Sequence, residues 1–217
     1  YDVMKWKVDG QTIVGGNGYG HELNQLSSPH GIYVDDEEKC IYIADDGNHR
    51  IIKWKLDSGS DYGEIVAGGN GKGNRIDQLF WPTDVILDEK KKSLIISDQG
   101  NRRVVRWSLQ NPNDKQILIE NISCWGLMMN ENGDLFVSDW ENHAVKRWRK
   151  GEIGKGGEGT IVAGGNGRGN KLNQLNGPTY IFIDREETIY VSDTQNDRVM
   201  KWLKGASEGI VVAGGQG

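Results

Sequence analysis

The sequence predicts an all-β protein folded as a β-propeller, and three recurring segments support this prediction. A tetrapeptide that ends in Lys-Trp or Arg-Trp occurs five times, with its tryptophans at positions 6, 54, 107, 148 and 202. An aliphatic segment that ends in Asp-x-x-Asn precedes four of these copies. A Gly-Asn segment of the form GGNGxG occurs three times. Repeats of this length that hold several short strands are typical of propeller blades.

Each repeat contains four short aliphatic or β-branched runs bounded by turn residues, as expected for strands A to D of one blade. Strand A follows a proline in three repeats, strand B is the IYVSD-like run, strand C carries the tryptophan, and strand D is the TIVAGG-like run. The pattern predicts a single domain over 1–217. It is expected to consist of a C–D half-blade at 1–16 and complete blades at about 29–69, 82–120, 124–165 and 178–215.

The Asp-x-x-Asn-x-Arg motif predicts the chemistry of the turn between strands B and C. Its aspartate (45, 98, 139 and 193) can cap the turn with its carboxylate, and its asparagine (48, 101, 142 and 196) tolerates the left-handed conformation. Arg50, Arg103 and Arg198 can brace this carboxylate with forked hydrogen bonds. The third repeat has Ala144 at that position, so we expect the brace to be missing there.

Together, the segments after the prolines and the Asp-x-x-Asn-x-Arg-Val motif resemble the NHL repeat. The resemblance covers nearly the whole chain. It implies an NHL-type β-propeller, usually six-bladed, that serves as a protein-binding or RNA-binding platform, a sensor domain or, in one lineage, a peptide-amidating lyase. Because the opening half-blade lacks strands A and B, we expect the chain to be part of a longer, six-bladed parent with further blades.

Composition narrows the classes of partner. The net charge is −5, from 26 Lys and Arg against 31 Asp and Glu, so nucleic acid is a disfavoured partner. No apolar run approaches the length of a membrane span.

The two cysteines, Cys40 and Cys124, are expected to be buried and free. The sequon at 121–123 slightly favours an extracellular over a cytoplasmic location and leaves the location open.

The third repeat is short because its D–A loop consists only of residues 121–123. We expect a notch on the face that the D–A loops share with the B–C turns. Trp81, Trp125 and Trp140 do not recur in other repeats and are predicted to lie beside this notch. They are candidate ligand-binding residues, although they could equally fill the space that the missing loop leaves.

Residues just after the proline position should surround the mouth of the central channel. The candidates there are His30, Thr83, Asp84, Thr179 and Tyr180. In the peptide-amidating lyase, which the NHL resemblance implies as one possible relative, several histidines of the channel hold zinc. One of these histidines lies in a Pro-His dipeptide. Only His30 matches that dipeptide, and Asp84 is the one acidic residue placed near the mouth. We therefore predict no catalytic residue, metal or cofactor.

The sequence thus favours a non-enzymatic scaffold that binds a protein or a glycan on the face of the D–A loops and B–C turns. Two alternatives stay open. One is a metal-dependent lyase or lactonase whose remaining site residues lie outside this chain. The other is an RNA-binding NHL propeller, for which Lys72, Arg75, Arg168 and Lys171 are the supporting residues.

Overall fold

The computed structural model describes residues 10–56, 59–88, 90 and 92–215. It is an all-β fold, with 48% strand and 5% helix, and its four-stranded antiparallel sheets form a four-blade propeller arrangement. In each sheet the strands are paired in chain order, so each blade is a simple meander. The described residues therefore confirm the predicted fold class.

The strands carry the repeated segments that the sequence indicates. Blade 1 contains β1 (Pro29–Asp35), β2 (Cys40–Asp45), β3 (Arg50–Lys55) and β4 (Glu64–Gly68). Blade 2 contains β5 (Pro82–Asp88), β6 (Ser93–Asp98), β7 (Arg103–Ser108) and β8 (Lys115–Glu120). Blade 3 contains β9 (Cys124–Met129), β10 (Leu135–Asp139), β11 (Ala144–Trp148) and β12 (Thr160–Gly164). Blade 4 contains β13 (Pro178–Ile183), β14 (Ile189–Asp193), β15 (Arg198–Trp202) and β16 (Ile210–Gly214).

The hydrophobic core lies between the blades. The first strands of consecutive blades contact one another in the order β1, β5, β9 and β13, which places them nearest the propeller axis. Trp107, Trp148 and Trp202 each belong to an apolar cluster shared by two neighbouring blades. This confirms that these recurring tryptophans pack between blades. Trp54 is also buried, and Trp6 lies outside the described residues.

The B–C turn differs from the expected conformation in two respects. In blade 1 it is a short 3-10 helix at Asp46–Asn48, and the left-handed residue is His49, with φ of 56°. The Asn48 side chain instead donates to the Asp45 carboxylate at 2.8 Å and to the Gly20 carbonyl at 2.8 Å. Asp45 makes no side-chain cap, because one of its oxygens accepts the backbone N–H of Ser27 instead. This turn therefore uses neither the left-handed conformation that the asparagine tolerates nor a side-chain cap by the aspartate.

The arginine brace forms, but a single bond holds the carboxylate in place of the predicted forked pair, and the remaining nitrogens tie two loops together. Arg50 Nε donates to Asp45 Oδ2 at 2.7 Å. Its terminal nitrogens donate to the carbonyls of His21, Glu22 and Gln25 in the preceding D–A loop. The same bonds recur around the Asp98–Arg103 and Asp193–Arg198 pairs. Each brace thus fixes the B–C turn of one blade to the loop that precedes the same blade.

The predicted half-blade is only partly within the described residues. Strand C at 3–8 lies outside them, and residues 11–16, predicted as strand D, form no strand. Blades 1 and 4 have exposed apolar side chains on their inner strands, including Ile32 and Val34 of β1 and Phe182 of β13. By contrast, every residue of β5 in blade 2 is buried, because this blade is covered on both sides.

Two further predictions concern single residues and the membrane. Cys40 and Cys124 are both buried and free, as expected. Burial raises the pKa of the Cys124 thiol to about 12. Within the part of the chain that the structure describes, no helix is long and apolar enough to cross a membrane.

Candidate functional site

Residues from all four blades meet on the axis at the end of the B–C turns. The His30 ring of β1 meets the Trp125 ring of β9 edge to face, with 5.4 Å between ring centroids and an interplanar angle of 84°. Trp125 also lies against Trp140, at 5.3 Å and 31°. We call His30, Asp84, Trp125, Trp140 and Tyr180 the axial cluster. Blade 2 contributes Asp84 and blade 4 contributes Tyr180.

The short D–A link of blade 3 explains the position of Trp140. The backbone N–H of Trp140 donates to the Ser123 carbonyl at 2.9 Å, so the turn is held directly on the link. Its ring lies over Gly177, where a Cβ atom would approach the indole to 2.8 Å. Gly177 also has a φ of 60°, which favours glycine. Trp140 therefore bridges the B–C turn of blade 3 to the loop before blade 4.

Asp84 is a buried carboxyl group that links blades 2 and 3. Its Oδ2 accepts the backbone N–H of Leu127 at 2.8 Å, and its Oδ1 accepts the N–H of Val85 at 2.9 Å. On the other side, a Cβ atom at Gly31 would overlap the carboxylate, so glycine permits the close approach of β1. Burial raises the pKa of Asp84 to about 7, although the two N–H donors act in the opposite direction.

Tyr180 and Trp125 complete the polar part of the cluster. Burial, and then the negative charge of Asp84, raise the pKa of Tyr180, with a smaller opposing contribution from the Trp125 indole. The Trp125 Nε1 atom is buried and faces the Tyr180 hydroxyl, but the two atoms do not reach the geometry of a full hydrogen bond. Tyr180 itself remains 38% exposed. The cluster therefore offers an indole N–H donor and a titratable acid beside an accessible aromatic surface.

Thr83 and Thr179 contribute to the framework of this site. The Thr83 hydroxyl donates to the Trp125 carbonyl at 2.9 Å, which ties β5 to β9. The hydroxyl of Thr179 shares a hydrogen bond of 2.7 Å with that of Thr194. Both threonines are buried. These two candidates hold neighbouring elements in position.

Trp81 lies apart from the other two candidate tryptophans. Its ring packs on Phe80, with 4.3 Å between centroids, and Lys72 lies over both rings. Its backbone N–H donates to His49 Nδ1 at 3.3 Å. Trp81 is 47% exposed. Among the described rings, it makes no contact with Trp125 or Trp140, so the predicted trio is separated into a pair and a single residue.

Sequence reasoning missed Asp46, which lies close to the axial cluster. Burial raises the pKa of Asp46, and the nearby imidazoles of His30 and His49 oppose this shift. Asp46 immediately follows the motif aspartate of blade 1, and the corresponding residues in the other blades are Gln99, Trp140 and Thr194. The acidic residue at this position of blade 1, which the other blades lack, was the feature of the sequence that could have indicated Asp46.

The acidic residues and histidines of this face are the side chains that could serve as metal ligands. Among the described residues, no group of three or more His, Cys, Asp or Glu side chains is placed to hold a metal ion. The arrangement instead suits contact with an aromatic or aliphatic group that carries a hydrogen-bond acceptor for the Trp125 indole.

Comparison with solved structures relates the chain to other propellers. It superposes on a streptogramin B lyase with a TM-score of 0.57 and 13% identity, covering 88% of this chain and 56% of the lyase. A gluconolactonase from Xanthomonas campestris gives a TM-score of 0.63 at 13% identity, with 87% and 65% covered. A nidogen/laminin complex gives 0.54 at 15% identity, with 84% and 78% covered.

These identities are low, so the similarity shows the fold alone. The chain spans less than two thirds of the length of the lyase and of the lactonase. No family model matches the sequence. The relation to the NHL repeat therefore remains a prediction from the repeated motif.

Proposed function

We propose that this chain is a non-enzymatic, NHL-type binding propeller whose axial cluster receives a side chain of a protein ligand. The observation that carries the proposal is the position of Trp125. Its ring joins His30 of blade 1 to Trp140 of blade 3, while its buried indole N–H makes only a poorly aligned contact with the Tyr180 hydroxyl. A ligand that presents an acceptor beside an apolar group would satisfy this donor.

The composition of the cluster supports a protein ligand. Tryptophan and tyrosine are enriched among the residues that dominate protein-binding energies, especially where they are partly desolvated near the centre of an interface. Trp125 and Trp140 are half-buried, and Tyr180 is exposed beside them. The structural similarity to a propeller from a nidogen/laminin complex is consistent with a role in protein binding.

The proposal can be tested by probing a peptide array and a glycan array with the chain. We expect binders on the peptide array, and we expect Trp125→Ala and Trp140→Ala each to weaken their binding by at least about tenfold. Trp81→Ala is the matched control, because Trp81 is also exposed but has no ring contact with the cluster. This control should bind like the original chain.

Other outcomes would contradict the proposal. If all binders that depend on Trp125 appear on the glycan array, the ligand is a carbohydrate. If no binder on either array depends on Trp125 or Trp140, while circular dichroism shows both variants folded, the axial cluster is not a recognition site.

An enzymatic function is the second candidate, and it rests on Asp84. A buried carboxyl group whose pKa is raised to about 7, beside Tyr180, is suited to general acid-base catalysis. Hydrolysis of glucono-1,5-lactone, followed by acid release, tests a lactonase-like activity. A rate equal to that of buffer, or a rate unaffected by Asp84→Asn, eliminates this candidate for that substrate. A metal-dependent form would require ligands beyond the described residues.

A further inference from the structure

A cavity lies on the face of the propeller opposite the axial cluster. Its volume is about 520 Å³, and it is formed mainly by blades 2 and 3. It is lined by residues at the ends of β5 and β9 and by the loops that follow strands A and C, whereas the axial cluster lies at the B–C turns. Its apolar lining includes Ile86, Ile95, Leu118, Met128 and Met129.

Asn130 gives this cavity a feature that the other blades lack. At the equivalent position, just after or at the end of strand A, blades 1, 2 and 4 have Asp35, Asp88 and Asp184. Asp35 and Asp184 use a carboxylate oxygen to accept backbone N–H groups of the A–B turn. The Asn130 Oδ1 atom retains this role and accepts the N–H of Asp134 at 2.9 Å. Its Nδ2 atom is buried without a hydrogen-bond partner.

Arg106 supplies a second unused donor on the same cavity. Its Nη2 atom is paired with Asp114 Oδ1 at 2.8 Å, but its Nε atom is buried without a partner. Lys90 and Lys150 also line the cavity. Asp88 and Glu131 are its acidic lining residues, and Asp114 already pairs with Arg106, so the two lysines are the cations left to balance these carboxylates. Unpartnered buried donors are costly, and an acceptor that entered the cavity would offset this cost.

We propose that this cavity binds an apolar carboxylic acid. The apolar part of the ligand packs on Leu118 and Met128. Its carboxylate accepts hydrogen bonds from Arg106 Nε and Asn130 Nδ2, with Lys150 adding positive charge. The combination of an apolar wall with a few convergent polar groups is usual for small-molecule sites of this size. The site is independent of the axial cluster and of the function proposed for it.

Calorimetric titration with decanoate, decan-1-ol and decyltrimethylammonium tests the proposal. Charge-assisted hydrogen bonds should make decanoate bind at least about tenfold more tightly than the alcohol, and the cation should bind most weakly. Asn130→Asp introduces the residue that the other blades carry, and it should weaken decanoate binding by about tenfold or more while leaving the alcohol unaffected.

Arg147→Gln provides the matched control. Arg147 is the equivalent arginine of the next blade and has the same unpartnered Nε, but it does not line this cavity. Decanoate affinity should be unchanged in that variant. If Asn130→Asp lowers the unfolding temperature markedly, Lys150→Gln replaces it and should also weaken decanoate selectively. Equal affinities for the acid and the alcohol, no decanoate binding, or affinity unaffected by the cavity variants would overturn the proposal.

Discussion

Lys146 places its ammonium group 3.0 Å from the buried carboxylate of Asp139. In the other three blades the corresponding carboxylate is paired, at 2.7 Å, with an arginine five residues later. Blade 3 has Ala144 at that position, so the arginine brace is missing there as predicted, and Lys146 supplies the positive charge beside Asp139 instead. Residues two apart on a strand share a face, so the long lysine stem can reach back to the same carboxylate.

The first prediction concerns the arginine brace of blade 2. Arg103→Ala should lower the free energy of unfolding by about 3–5 kcal/mol, because it leaves the buried Asp98 carboxylate without its cation. Urea unfolding followed by tryptophan fluorescence measures the change. Arg75→Ala is the control, since the Arg75–Asp77 pair is largely exposed and its loss should change the free energy of unfolding much less. Similar losses in the two variants would show that the brace does not stabilise the blade.

The second prediction tests whether Lys146 replaces that brace. Lys146→Met should destabilise the chain by about 3 kcal/mol, because Asp139 is fully buried. Adding Asp139→Asn to Lys146→Met should recover much of the loss, since the double variant has no unpaired buried charge. Lys201→Met is a suitable control, because Lys201 lies on strand C of blade 4, one residue after the equivalent position, and is described with a cation–π contact to Tyr190 and with no ion pair to a carboxylate among the described residues. If the two losses of Lys146→Met and Asp139→Asn are simply additive, the pair is not coupled.

The repeat predicted the blades well because the same pattern of strands and turns occurs four times. It did not predict interactions that depend on departures from the repeat. Asn48 tolerates the left-handed conformation by intrinsic preference, but hydrogen bonds to Asp45 and Gly20 hold that asparagine in the 3-10 helix. His49 therefore takes the positive φ.

For the candidate site, the sequence predicted the positions of residues along the axis but not the contacts between residues of different blades. Position after the proline predicted that His30, Asp84, Trp125 and Tyr180 would surround the mouth of the channel, and the structure brings the rings of His30 and Trp125 into contact. The ring contact between His30 and Trp125 joins blades far apart in sequence, so no local pattern specifies it. Trp81 was grouped with Trp125 because both lie near the short link, but the packing of Phe80 holds Trp81 elsewhere.

The third prediction concerns the close approach of β9 and β13. A Cβ atom at Gly126 would lie 2.6 Å from the Thr179 carbonyl oxygen and 3.0 Å from the Tyr180 Cα atom. Both are backbone atoms, which cannot rotate away, so Gly126→Ala should cost about 1–3 kcal/mol of unfolding free energy. Gly151→Ala is the control, because no atom lies within 4 Å of its Cβ position. Equal stability of the two variants would contradict the close approach.

The last prediction concerns the pH dependence that Asp84 confers. Its pKa in the folded chain is about 7, above the ordinary value of 3.8, so the folded state retains a proton that the unfolded state loses. The stabilising contribution is therefore fully present below about pH 4 and is lost as the pH rises to about 7, and it amounts to a few kcal/mol at most.

Urea unfolding of the original chain and of Asp84→Asn at about pH 4.5 and about pH 8 isolates this contribution. Asparagine does not titrate, and its amide nitrogen replaces one of the two oxygens that accept N–H groups from Leu127 and Val85. Asp84→Asn should therefore be less stable than the original chain at the lower pH. Its deficit should shrink at the higher pH, because only the original chain then carries a buried negative charge. Since all other titrating groups are common to both proteins, a deficit that is independent of pH would mean that Asp84 is already ionised in the folded chain at the lower pH.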